Sequence, residues 1–235
     1  MGFYERLGGF TQLDAVAVSL LIICWIGIGI LIEHSGRRRP SVTVLMADYR
    51  RAWMRQMVTR QPRIFDAQTL ASLRQSTSFF ASTSILALGG ILALIGNTER
   101  LILVARDLTL EGAPATIWQI KLLLVALFLT NSFLKFVWAN RLFGYCAVVM
   151  AAVLNDPADP LAYPRAAQAG ELNIRAAWNF NRGLRSIYFA LGTLAWLLGP
   201  WMLLVATAVT LWILWSREFA SRPRSILIDT GATKP

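Results

Sequence analysis

Four separated stretches of this chain are apolar enough, for long enough, to cross a bilayer: Val16 to Ile32, Phe79 to Ile95, Ile117 to Trp138 and Ile187 to Trp215. A hydrocarbon core about 30 Å thick needs roughly 20 apolar residues at about 1.5 Å of rise each. Lipid offers backbone N–H and C=O groups no partner, so such stretches must be helical. The fold class expected is therefore all-α: a polytopic membrane protein with four transmembrane helices in a bundle, as a single integral membrane domain over residues 1–235. The composition agrees, with 56% hydrophobic and 15% charged residues, against about 25% charged in an average soluble domain.

The third stretch is the best framed, because Trp118 and Trp138 would sit about 30 Å apart on a helix, as two interfacial belts do. The second has two possible ends: Gly96, Asn97, Glu99 and Arg100 close it, or Leu101 to Ala105 carries it one turn further. The first is read as a retained span, since its apolar run exceeds a signal core and no small-x-small cleavage pattern follows.

Charge sets the expected orientation. The net charge is +10, and arginine supplies most of it. Nine Lys and Arg residues, Arg37, Arg38 and Arg39 among them, lie between spans one and two, and five lie from Asn140 to Arg185. By the positive-inside rule these two loops are cytoplasmic, by 14 cations against 7. Both termini then fall on the non-cytoplasmic side of a bacterial inner (plasma) membrane, although Arg217, Arg222 and Arg224 in the tail run against this assignment. Anionic phospholipid is the expected partner of so many arginines. Without a compact nucleic-acid module, no nucleic acid is expected.

The same residues exclude several chemistries. His34 is the single histidine, and Cys24 and Cys146 are not spaced as C-x-x-C. Neither a metal site, a haem pair nor a redox pair is written here. With no phosphate-binding Gly-rich loop and no catalytic carboxylate spacing, neither a cofactor nor an enzymatic activity is expected.

Between the spans, Val42, Leu45, Met46, Tyr49, Trp53 and Met57 recur at helical steps opposite Asp48, Arg51 and Arg55, which predicts an amphipathic cytoplasmic helix over 42–57. It either lies in the interfacial plane or packs on the cytoplasmic ends of the bundle. Gln61-Pro62 ends it, and Asp66 is placed to cap the next helix. The third helix is long enough either to protrude as a cytoplasmic extension or to bend at Gly144. The turn-rich run Asn155 to Pro164 then leads into a helix from about Arg165 towards span four.

Four residue sets carry the functional expectations. Arg51, Arg55, Arg63, Arg141, Arg182 and Arg185 are candidates to bind a lipid phosphate, because guanidinium groups pair bidentately with phosphate. Lys121, Asn131 and Lys135 share a face of span three as a polar stripe, with snorkelling and an interhelical hydrogen bond as the plainer roles. Gly89, Ala93 and Asn97 step by four along span two as a helix-packing face. Gly199-Pro200 interrupts span four as a helix kink.

Five ordered strings stand out: Arg51-Ala52-Trp53-Met54-Arg55-Gln56-Met57, Arg63-Ile64-Phe65-Asp66, Ser78-Phe79-Phe80-Ala81-Ser82-Thr83 with Gly89-Gly90, Phe136-Val137-Trp138-Ala139-Asn140-Arg141 through Tyr145, and Asn181-Arg182-Gly183-Leu184-Arg185 with Tyr188-Phe189-Ala190. Together they resemble an uncharacterised family of bacterial and plant membrane proteins, the domain of unknown function five-nine-nine. The resemblance implies a four-span helical membrane protein with no assigned activity. The function expected is a non-enzymatic scaffold, assembly or accessory subunit that packs against a membrane-protein partner or its own copies and binds anionic lipid. The alternative is a small transporter or channel for an anionic or zwitterionic solute.

Overall fold

Thr11 starts the first helix with a capping box: its hydroxyl accepts from the Asp14 backbone N–H, and the Asp14 carboxylate accepts from the Thr11 N–H at 2.9 Å. From there the computed structural model, which describes residues 10–36, 38–97 and 114–229, is helical without a strand among the described residues. The helices are α1 (Gln12–Glu33), α2 (Val42–Met57), α3 (Ile64–Gly96), α4 (Ala115–Ala151), α5 (Ala162–Leu194), α6 (Pro200–Phe219) and α7 (Arg222–Ile228). Four helical segments are long and apolar enough to cross a membrane: α1, α3, α4 and the stretch Pro200–Ile228. Arg6, Arg37, Arg100, Arg106 and Lys234, and the proposed continuation Leu101 to Ala105, lie outside the described residues.

Antiparallel pairing organises the long helices. Contacts Ser78–Asn140 (3.1 Å), Ser84–Ser132 (3.4 Å) and Ile95–Gln119 (3.4 Å) set α3 against α4. Ser132 donates to the Gly183 carbonyl at 3.0 Å and Cys146 to that of Ala169 at 3.3 Å, which set α4 against α5. In α2, Thr43, Ala47, Met54 and Met57 are buried, and Arg50 reaches Asn173 of α5. These positions recur at steps of three and four, so α2 lies lengthwise on α5.

Two apolar cores result. One joins Leu21, Ile28, Phe128, Phe189, Trp196 and Leu203 from α1, α4, α5, its terminal turn and α6. The other joins Met54, Met57, Leu70, Phe143, Cys146 and Ala169 where α2 covers the far ends of α3, α4 and α5. Between them Phe80, Phe136 and Phe180 cluster with centroids 5.4–5.5 Å apart, Phe80 stacked on Phe136 and edge-on to Phe180. A Cβ on Gly183 would lie 2.7 Å from the fully buried Phe136 ring, so helix α5 passes Phe136 only because residue 183 lacks a side chain. Gly183→Ala is expected to cost about 1–3 kcal/mol by overpacking. Thermal unfolding of the purified protein in mild detergent measures it, and an unchanged melting temperature would show that the ring moves aside freely.

Several expectations are corrected. Span four is not one helix over Ile187 to Trp215, and Gly199-Pro200 is not a kink within it. Helix α5 runs to Leu194, a 3-10 turn occupies Ala195–Leu198, Gly199 adopts φ 118°, and α6 starts at Pro200. Glycine alone takes that φ without strain, and proline fits the first helical turn, where no intrahelical donor is needed. The two segments form a hairpin. Trp196 donates to Asp14 at 2.7 Å, at the start of α1, while Arg182 and Arg185 meet Glu33 at its end. The last third of α5 therefore runs antiparallel to α1. Helix α6 runs back, and its Glu218 accepts from the Thr43 backbone N–H at 3.0 Å and hydroxyl at 2.9 Å. The start of α1 and the end of α6 thus lie at opposite ends of the bundle, where one uninterrupted fourth helix would have put them at the same end. The expected fourth span counted one helix where the chain makes a hairpin.

Smaller differences have local reasons. Asp66 does not cap α3; its Oδ1 accepts from Trp53 Nε1 at 2.7 Å and from Arg60, tying α2 to α3. Helix α4 passes Gly144 unbroken, and α5 starts at Ala162, after Asp156 and Asp159 each accept a backbone N–H two residues on. Met46 and Tyr49 of α2 are exposed, so the face it buries is rotated from the apolar stripe read in the sequence.

Candidate functional site

Helices α1 and α4 diverge on either side of α5 and leave a cleft of about 300 Å³. Arg182, Arg185 and Ser186 form its floor; Trp25, Ile26, Gly29, Ile30 and Glu33 line one wall, and Asn131 and Lys135 the other. Trp25 meets Phe128 edge to face, with centroids 5.2 Å apart, where α1 and α4 close together. Ile26 and Ile30 are more than half exposed, so that wall continues onto the outer apolar surface of α1.

Glu33 is almost wholly buried and is held by both arginines: Arg182 Nε donates to Oε1 at 2.9 Å, Arg182 Nη2 donates to Oε2, and Arg185 Nη2 donates to Oε1. Arg185 lies over Gly29, where a Cβ would stand 3.8 Å from Nη2, so α1 and the guanidinium meet closely. Asn131 Nδ2 donates to Ser186 Oγ at 2.6 Å, an interhelical hydrogen bond. Lys135 is half-buried on the same wall. Three cations line the cleft against one carboxylate.

The sequence candidates are thus regrouped. Asn131 and Lys135 join Arg182 and Arg185, while Lys121 stands at the other end of α4, over the rings of Trp118 (5.8 Å) and Trp196 (5.6 Å). The six arginines do not form one pocket. Arg51 pairs with Asp48 and Glu171, and Arg63 donates to the carbonyls of Val58, Val153 and Leu154 where α2 and α4 end. Arg141 bonds the Tyr145 hydroxyl on its own helix, and Arg55 borders a groove between α2 and α5 with Arg51 and Tyr163. Outside the spans, donating a hydrogen bond to the Glu171 carboxylate raises the pKa of Arg51, whereas burial lowers that of Arg50, whose partner is the neutral Asn173.

Gly89, Ala93 and Asn97 face outward, and nothing lies within 4 Å of a Cβ built on Gly89 or Gly90. Glu33, Asp14 and Glu218 stand outside the candidates drawn from the sequence, and Gly183 enters there only within a string of the family resemblance. Glu33 left a signal: it is the single carboxylate between Asp14 and Asp48, at the end of an apolar run. No cluster of three metal-ligating side chains occurs among the described residues.

Comparison with curated proteins and with solved structures returns no match. A family profile described as "Protein of unknown function, DUF599" matches residues 16–223, which is most of the chain. The chain, with its four membrane-length helices, belongs to that uncharacterised family.

Proposed function

We propose that this protein is a non-enzymatic scaffold or accessory subunit of the bacterial plasma membrane, packing through the outer face of α3 and holding anionic lipid at its arginine-rich end. The observation that carries the reading is the isolation of α3. Among the described residues only 6% of its most apolar window is buried, the least of the four membrane-length helices, and α4 is its main neighbour. Its outward Gly89, Gly90 and Ala93 leave room for a second backbone to approach closely, which is how membrane helices associate without a hydrophobic driving force. Gly89→Leu is expected to abolish the native assembly, read by mass spectrometry of the complex from mild detergent. An unchanged assembly would reject that face.

A second reading, transport of an anionic or zwitterionic solute, is favoured by the cleft's reach to Asn131. Against it, the buried Val125, Phe128, Phe189 and Leu203 occupy the bundle between the cleft and the Asp14 end. Flux of labelled anions into proteoliposomes distinguishes the two readings.

A further inference from the structure

We propose that the cleft between α1 and α4 is a binding site for a phosphate group, with Lys135, Arg182 and Arg185 as its ligands and Glu33 as the internal counterion that holds the two arginines in place. This deepens the lipid-binding half of the reading above and is independent of the α3 face.

Three observations converge on one place. First, the charges do not balance: the cleft has three cationic side chains and a single carboxylate. Glu218, the other carboxylate whose field reaches Arg185, is bonded to Thr43. Second, the donors are preorganised. Glu33 uses only Nη2 of Arg185 and Nε and Nη2 of Arg182, so each guanidinium keeps further N–H groups, and the side chains cannot swing away without abandoning a buried carboxylate. Lys135 makes no ion pair or hydrogen bond among the described residues, yet it is half-buried. Third, the wall of the cleft runs onto exposed Ile26 and Ile30, so an apolar tail attached to the phosphate would lie along α1. Paired guanidinium forks with an adjacent ammonium suit a tetrahedral oxyanion, and a net excess of two positive charges suits a phosphomonoester.

The ligand is a lipid phosphate headgroup or a free phosphate, and one titration separates them. The full-length protein in mild detergent is titrated with dioctanoyl phosphatidic acid, dioctanoyl phosphatidylcholine and inorganic phosphate. The expected result is that phosphatidic acid binds at least tenfold more tightly than phosphatidylcholine. Lys135→Gln should weaken it at least tenfold, Lys135→Arg should restore it, and all three proteins should melt alike, because Lys135 makes no ion pair or hydrogen bond among the described residues that the change would remove. If inorganic phosphate competes only weakly, the source is a lipid; if it binds as tightly as the lipid, the source is the free anion, and the site stands either way. Equal binding by Lys135→Gln and the parent protein, or equal affinity for the two lipids, would overturn the proposal. Gly89→Leu should leave this titration unchanged, so failure of the α3 interface and failure of the phosphate site are told apart.

Discussion

Glu33→Ala is expected to destabilise the protein by about 3–5 kcal/mol, the cost of breaking a buried ion pair from one side. Removing this carboxylate leaves Arg185, only 7% exposed, as an uncompensated cation between helices. Arg182 is 39% exposed and regains water on losing its partner, so it contributes little to that loss. Arg182→Ala should therefore cost much less than Glu33→Ala, and unfolding in detergent measures both. Similar losses for the two variants, or a Glu33→Ala protein within about 1 kcal/mol of the parent, would show that the carboxylate is not the keystone of this end of the bundle. An anion bound in the cleft supplies the missing charge, so added dioctanoyl phosphatidic acid should recover part of the lost stability by mass action.

A reporter fused after Pro235 is expected to read the same side of the membrane as the loop between α1 and α2, and the opposite side from a reporter at Met1. The ground is the hairpin at Gly199: α5 reaches the Asp14 end of α1 and α6 returns to Thr43. Arg224 Nε donates to the Pro40 carbonyl at 2.9 Å, and Arg39 stands 5.2 Å from the Trp215 ring, so the tail and the first loop share one end. The arginines that ran against the sequence assignment then fall in line. With Arg217, Arg222, Arg224 and Lys234 moved to the cytoplasmic side, the balance becomes 18 cations against 3, sharper than 14 against 7. Reporters reading one side at both termini would refute the hairpin as a membrane crossing.

Much of the architecture is written in local terms that the sequence carries openly. The helix over Val42–Met57 has the bounds its periodicity predicts, and the second span ends at Gly96, one of its two expected stops. Two candidate residues, Asn131 and Lys135, do lie together as the spacing along α4 requires. The site they belong to is not legible there, because its other members come from α1 and α5, and spacing along one helix says nothing about which neighbour completes it.

Length and hydropathy determined by themselves that this chain forms helices long and apolar enough to cross a membrane, since lipid admits only backbone that pairs with itself. The direction of the last long helix within the bundle was decided by tertiary structure alone. An apolar run interrupted by Gly199-Pro200 satisfies the hydrophobic requirement equally as a bent span or as a hairpin. What selects the hairpin is the pairing of Trp196 with Asp14 and of Glu218 with Thr43, contacts between residues more than 170 positions apart that no local pattern encodes.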